Sequence, residues 1–265
     1  MTPISKIASD FQGLAKVCGL LIATRWLLAV IITIPQILQT KNLQPADKLL
    51  GIGPFKIKHN SIKNEFWVTS ESSVSGIREM YVRDCYLEYG KLLLNDGDQV
   101  LDLGANIGNF TALALAHGPN IKVISVEPNN SFNKAFKRSI DLNPGFLERV
   151  TLVRGFIGSE IDLDRLNLAE DPDYSDAPFI TEAELIGLCP SENIDFLKCD
   201  IEGGEFALLK PGSLILQRCR AIAIEIHSFA GDVNGFVNML AAEGFDIVKR
   251  TVASDGTAIV LARRP

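Results

Sequence analysis

Twelve consecutive residues, Val100-Leu101-Asp102-Leu103-Gly104-Ala105-Asn106-Ile107-Gly108-Asn109-Phe110-Thr111, limit the folds open to this chain more than any other stretch. A short apolar strand meets an acid, then a glycine-containing turn, then a helical pattern. That geometry holds a nucleotide-like ligand at the carboxyl end of a parallel strand. Gly104 and Gly108 let the backbone approach such a ligand closely. Pyrophosphate-binding loops carry G-x-G-x-x-G and aim a helix N-terminus at a dianion. Here Asn106 stands where the second glycine would be, and Asp102 sets a negative charge beside the turn. A cofactor with a cationic centre and an amino group, such as S-adenosylmethionine, suits that charge better than a pyrophosphate does.

From this motif onward, strand and helix patterns alternate. Apolar runs at 100–103, 122–126, 150–153, 194–198 and 221–226 read as strands. Residues 110–116, 131–142, 205–209 and 233–243 read as helices, and Thr181 with Glu184 opens another over 181–188 as a capping box. Runs at 245–249 and 258–261 read as a closing pair of strands. Alternation of this kind predicts an α/β fold, a mostly parallel sheet covered on both faces. Residues 159–178 are acidic and contain proline, and read as a surface insertion. Upstream, 51–69 alternates with period two around a polar turn at 59–63, which predicts a hairpin. Residues 76–94 carry apolar side chains at three- and four-residue spacings, which predicts a helix.

The N-terminal part differs. Residues 17–34 are almost wholly apolar and end before Pro35. Their length is near the minimum for a membrane span. Arg25 lies in the middle, where a charge costs about 2.5–3.5 kcal/mol on insertion scales. Lys6 and Lys16 precede the run, and no small-residue cleavage pattern follows it. Three readings stay open: a helix capping the domain or a partner copy, an interfacial membrane anchor, and a transmembrane helix. Residues 39–48 read as a linker.

Composition narrows the partners. A net charge of −6 argues against a protein that neutralises nucleic-acid phosphates. The five cysteines, Cys18, Cys85, Cys189, Cys199 and Cys219, are scattered without a C-x-x-C pair. They read as reduced thiols, which gives the expectation of a cytoplasmic protein, with membrane association through 17–34 as the alternative.

Two further clusters follow strand ends. Glu127 closes the second strand 25 residues after Asp102. An acid there can accept both hydroxyls of a free ribose. Lys198-Cys199-Asp200-Ile201-Glu202-Gly203-Gly204-Glu205 follows the fourth strand, and its carboxylates repel one another unless a substrate proton, a basic partner or a metal offsets them. Glu225-Ile226-His227 ends the fifth strand, with Glu225 and His227 on one side by period two. His227 reads as a candidate general base. A divalent metal bridging Asp200, Glu202 and His227 is an alternative, but the spacing matches no closed metal motif and none is expected.

These blocks, together with Val126-Glu127-Pro128-Asn129 and Leu142-Asn143, resemble the FkbM family of methyltransferases over about residues 75–250. The resemblance implies a Rossmann-like class I methyltransferase fold with a seven-stranded sheet over 51–265, its core from 96, and an appended segment at 1–50. It implies methyl transfer from S-adenosylmethionine, usually to oxygen, on a small molecule, natural product or glycan. By position it assigns Asp102, Gly104, Asn106 and Gly108 to the methionine end, Glu127 to the ribose, and Phe156 to the adenine. Asp200 and Glu202 would face the methyl and the acceptor, with His227 or Asp200 as base. Cys199 and Gly204 depart from the family's commoner aliphatic residue and alanine. An NAD-dependent oxidoreductase and a non-catalytic scaffold remain as alternatives, and a paired N-terminal helix is one route to a homodimer.

Overall fold

The computed structural model describes residues 3–265 except 52, 63, 71–73, 89, 158–170 and 190. Within them the chain opens with helices α1 (Pro3–Val17), α2 (Leu20–Ile32), α3 (Ile34–Thr40) and α4 (Gln44–Leu49). The hairpin β1 (Phe55–Ile57) and β2 (Phe66–Val68) follows, then a short helix α5 (Ser75–Ile77) running into a π-helical turn, Arg78–Val82. Next come β3 (Gln99–Leu103), α6 (Asn109–His117), β4 (Lys122–Val126), α7 (Asn130–Asp141) and β5 (Val150–Val153). A two-residue ribbon, β6 (Phe156–Ile157) with β7 (Phe179–Ile180), leads to α8 (Glu182–Leu188). The chain finishes with β8 (Ile194–Cys199), α9 (Glu205–Leu208), α10 (Leu214–Arg218), β9 (Cys219–Ile226), α11 (Val233–Ala242), β10 (Asp246–Val252) and β11 (Ala258–Arg263).

Seven strands form one sheet in the order β10-β11-β9-β8-β3-β4-β5. Strands β3, β4, β5, β8 and β9 are parallel, and β11 runs antiparallel between β9 and β10. This is the expected Rossmann-like methyltransferase arrangement. The period-two pattern sorts each strand's side chains to two cores. Val100, Val123 and Phe196 face one, and Leu101, Leu103, Ile124 and Leu197 the other. The strand order reverses between β3 and β8, so the carboxyl ends of these two strands open a crevice, the place where sheets of this kind bind ligands. The expected capping box of Thr181 and Glu184 starts α8.

The hairpin is tied to the end of α7. Asn143 accepts from Trp67 N at 2.8 Å and donates to Trp67 O at 2.8 Å, copying a neighbouring strand. Thr69 N adds a bond to Ser139 Oγ.

The N-terminal helices join the first core, with Leu14, Ala23, Trp26 and Ala29 buried in it. A buried ion network fixes them. The Arg78 guanidinium bonds Asp47 on α4 through Nε at 2.9 Å and through Nη2, and Asp10 on α1 through Nη1 at 2.6 Å. Arg83 also reaches Asp10, and Trp26 Nε1 on α2 donates to Asp47 at 2.8 Å. Three helices thus converge on one side chain of the π-helical turn.

Several expectations give way. Residues 17–34 are not one helix: Gly19 (φ 89°) precedes α2, and Thr33 ends it, its hydroxyl bonding Ala29 O at 2.7 Å. Pro35 cannot donate a hydrogen bond back into α2, and the chain turns by 73° into α3. Among the described residues no single helix is long and apolar enough to cross a membrane. The linker expected at 39–48 is the end of α3 and most of α4. The helix expected at 76–94 stops after the π-helical turn, because Asp84 (φ 48°) and Glu88 (φ 45°) take left-handed conformations that reverse the chain. Turns bury Tyr86, Leu87 and Leu92 as well as a helix would, so mixed three- and four-residue spacing does not separate the two. Of the expected insertion, 159–170 lies outside the described residues, and 172–176 is a turn. The ribbon β6–β7 and helix α10 are too short to leave a periodic signal.

Replacing Arg78 by alanine leaves Asp47 buried without a cation and Asp10 with Arg83 alone. It is expected to lower the unfolding free energy of the full chain by about 3–5 kcal/mol in urea titration. A loss in the range of an exposed pair, about 0–1 kcal/mol, would show that the N-terminal helices are held by apolar packing alone.

Candidate active site

The turn after β3 is built from backbone contacts. Gly104 has φ 73°, and a Cβ there would lie 1.7 Å from the carbonyl oxygen of Asp200. No other residue lets the β3 turn and the β8 loop meet this closely. The amides of Gly104 and Ala105 both donate to Val126 O, and Asp200 N donates to Leu103 O. Asn106 is left-handed (φ 51°), a conformation asparagine tolerates, and its side chain accepts from Ile107 N. Its own amide donates to Glu127 Oε2 at 2.8 Å, while Glu127 Oε1 accepts from Asn129 N at 2.8 Å. Burial pushes the Glu127 carboxyl up to about 7 against the pull of those two amides.

Two adjoining hollows share Gly104, Asn106, Phe132 and Asp200 as walls. The smaller, about 120 Å³, is framed by Glu127, Pro128, Gly155, Phe156, Ile157, Tyr174 and Glu202. Phe156 stacks with Tyr174 and Phe179 at 5.9 and 5.4 Å between ring centres. The larger, about 280 Å³, is lined by Tyr86, Lys198, Asn109 and Phe110, and on its far side by Gln44, Ser75, Gly76, Glu79 and Met80.

Beside both hollows, the loop after β8 is organised by Glu205, which is fully buried. Its Oε1 accepts from Ile201 N at 3.1 Å and Gly203 N at 3.2 Å, and lies 3.0 Å from His227 Nδ1. These bonds hold Glu202 (φ 52°) and Gly203 (φ 100°) in left-handed conformations. His227 Nε2 is 3.4 Å from Glu202 Oε2 and 3.9 Å from Asp200 Oδ1. Burial opposes a charge on His227, but the Glu205 hydrogen bond and the three carboxylates together raise it to about 9. These contacts favour the protonated imidazole, the form opposite to the free base that the sequence reading assigns to it. Burial, with Asp200 and Glu205 nearby, raises the Glu202 carboxyl despite His227. Asp200, Glu202 and His227 each offer a ligand atom within 4.8 Å of the others, a donor set of the kind divalent cations accept. The protonated imidazole also offsets the charge of these acids.

The cleft thus gathers Gly104, Asn106, Glu127, Phe156, Asp200 and Glu202, with His227 against its acids. Asp102 and Gly108 lie elsewhere. Asp102 is fully buried behind the turn. Its Oδ2 accepts from Thr111 Oγ1 at 2.6 Å, and its Oδ1 is 3.5 Å from Lys198 Nζ. Gly108 serves packing, since a Cβ there would meet the Phe136 ring at 2.5 Å. Lys198 is the residue through which Asp102 acts: its Nζ donates to Gly104 O at 2.6 Å and reaches Leu103 O at 3.3 Å. Tyr86 is the residue that sequence reasoning missed. Its phenol donates to Asp200 Oδ2 at 3.1 Å, lies 3.4 Å from Glu225 Oε2, and sits under Lys198 Nζ. It looks like one more apolar position in the chain, so nothing local marks it.

A family model described as the methyltransferase FkbM domain matches residues 102–247, just over half of the chain. The 31-O-demethyl-FK506 methyltransferase FkbM of Streptomyces tacrolimicus is 23% identical over 211 residues, 64% of this chain and 81% of that protein. Among solved structures, a precorrin-6y C5,15-methyltransferase from Geobacter metallireducens gives a TM-score of 0.44 at 16% identity, covering 69% of this chain and 88% of its own. Aeropyrum pernix fibrillarin, solved with natively bound S-adenosyl-L-methionine, gives 0.39 at 14% identity over 64% of this chain and 68% of its own. The family match agrees with the sheet order and with the motifs at the ends of β3, β4, β8 and β9. The chain belongs to the FkbM family of methyltransferases, which use S-adenosylmethionine as methyl donor.

Proposed function

We propose that the chain methylates a hydroxyl oxygen on a small-molecule or glycan acceptor, with the cofactor and the acceptor side by side in the two hollows. The observation that carries this reading is their shared wall. A hollow framed by a ribose-type acid and aromatic rings adjoins one framed by Asp200, Tyr86 and Lys198, across Gly104 and Asn106. The name of the Streptomyces relative puts that protein's acceptor at an oxygen, which supports the same choice here.

The donor set fits S-adenosylmethionine. Each Glu127 oxygen accepts one backbone amide and keeps a lone pair for a ribose hydroxyl. Phe156 and Tyr174 offer an apolar slot for an adenine. Gly104 and Asn106 present backbone to the methionine end, and Asp102 contributes by holding Lys198. When bound, the cofactor supplies a methyl group on a sulfonium, open to in-line attack by an oxygen. The protein must orient that oxygen, which can supply about 7–11 kcal/mol, and remove one proton. Because its carboxylate neighbours favour the charged form of His227, we assign the base to Asp200, its position set by Tyr86. Glu202 orients the acceptor, and His227 offsets the charge of both acids as the proton moves. A positioned base typically contributes about 10²–10⁴-fold.

The carboxylate form of Glu127 accepts the ribose, so binding must expel any proton it holds. Affinity for S-adenosylmethionine should therefore be flat above pH of about 7 and weaken below it, approaching about tenfold per unit. Calorimetry from about pH 5.5 to about 8 reads this directly. Glu127→Gln should bind weakly with no such slope, and a pH-independent wild type would remove Glu127 from the ribose site.

Incubation with tritiated S-adenosylmethionine and a panel of hydroxylated sugars and alcohols tests the reaction itself. On an acceptor that takes up label at oxygen, Asp200→Asn should lower kcat by about 10²–10⁴-fold with little change in cofactor affinity. Label found only on carbon or nitrogen would refute O-methylation, and loss of cofactor binding in the variant would move Asp200 out of the base role.

A further inference from the structure

We infer that α2 and α3 dock the protein on an anionic lipid bilayer, lying in its interface. Helix α2 has two unlike faces. Ala23, Trp26, Ala29 and Val30 recur at helical spacing and are buried against the domain. The opposite face carries Leu21, Leu28, Ile31 and Ile32, and α3 continues it with Ile34 and Leu38, all between 46 and 73% exposed. Soluble monomers rarely leave so much contiguous apolar surface to water. Trp26 ties α2 from behind to Asp47 of the buried network around Arg78, so hiding the apolar face of α2 by repacking would break that bond.

Charge selects the occupant. Residues 11–46 contain no Asp or Glu, and the flanking Asp10 and Asp47 are buried on Arg78. Residues 1–50 hold five Lys or Arg against two Asp, a net +3, whereas the chain as a whole carries −6, so the other 215 residues carry −9. The segment that carries the apolar face thus exposes the cations Lys16, Arg25, Lys41 and Lys48 and no acid between residues 11 and 46, on an otherwise acidic molecule. That pairing of exposed aliphatic side chains with basic residues is what anionic headgroups over acyl chains bind. Arg25, exposed on α2, can lay its stem on the apolar surface and keep its head among phosphates. A two-fold contact with a second copy would press a patch with no acid against itself, bringing like charges together. The 73° bend between α2 and α3 suits a pair lying in the interface rather than spanning it. Gln44, four residues beyond α3, lines the larger hollow, so the bilayer would lie close to the cleft wall.

Co-sedimentation of the full chain with vesicles tests this. The protein should pellet with phosphatidylcholine vesicles containing phosphatidylglycerol, and much less with phosphatidylcholine alone or in high salt. Leu28→Ser with Ile32→Ser should reduce the bound fraction at least about tenfold, given the apolar area removed. Arg25→Glu with Lys41→Glu should abolish the preference for phosphatidylglycerol. Leu147→Ser, at an exposed leucine outside this face, should bind as the wild type does. Circular dichroism and unfolding should match the wild type in all variants. Wild-type protein left in the supernatant, or undiminished binding by the Leu28/Ile32 variant, would overturn the inference. So would a dimer in vesicle-free buffer that the same variant dissociates, since a second copy would then cover the face.

Discussion

Taking the Lys198 ammonium out of water is costly, and the site takes its shape from the groups that offset the loss. An uncompensated buried ion costs several kcal/mol. Here the Nζ has the carbonyls of Gly104 and Leu103, the carboxylates of Asp102 and Asp200, and the face of Tyr86. Burial works against the charge, but Asp102 and Asp200 hold the group above the ordinary lysine value. These partners come from β3, its turn, the loop after β8 and the segment before β3. One cation therefore sets where four pieces of chain meet. It also explains why an acid stands inside the glycine motif: Asp102 pairs with the lysine that pulls the turn's carbonyls inward, and Thr111, itself 2.8 Å from Ser125, binds its other oxygen.

A second centre complements it. Glu205 satisfies two amides of the loop after β8 and the imidazole of His227 with a single oxygen. Left-handed backbone at Glu202 is uncommon for a side chain of that size and persists only when its surroundings over-determine it. The result is a row of carboxylates, Asp200, Glu202 and Glu225, brought together at the end of the sheet by a lysine on one side and an imidazolium on the other. Burial and the nearby Asp200 raise the Glu225 carboxyl to about 7. The repulsion visible in the sequence is real, and buried cations answer it.

What could be read from the residues follows from how local each cause is. The parallel strands were legible because burial on both faces demands short continuous apolar runs, and Thr181 with Glu184 because a capping box is complete within four residues. The pairing of Glu127 with the glycine turn was legible as an order of motifs, since strands β3 and β4 must be neighbours in such a sheet. The role of Asp102 was not, because the sequence shows an acid beside a turn but not which way the strand pleat points it. Tyr86 joins Asp200 across 114 residues, and Arg78 joins Asp10 across 68. No local pattern announces a contact of that range. The reading of 76–94 as a helix failed for a related reason: left-handed Asp84 and Glu88, neither of them glycine, break it before Gly90 (φ 92°) is reached.

The π-helical turn at Arg78–Val82 shows why the N-terminal helices are not a detachable layer. An i→i+5 turn is wider than an α-helical one and tends to sit where a chain must serve two surroundings. Arg78 turns back to the aspartates of α1 and α4, and Tyr81 Oη donates to Asn109 O at the start of α6, at 2.8 Å. Glu79 and Met80, from the same turn, line the larger hollow with Gln44 of α4. The wall of the cleft opposite Asp200 is therefore positioned from behind by Asp10, Asp47 and Trp26. The outer face of α2 is joined through Trp26 to Asp47, then to Arg78, and so to the turn that borders the larger hollow. The surface and the site are coupled by a chain of buried polar contacts, each of which would be left unpaired if the helices shifted.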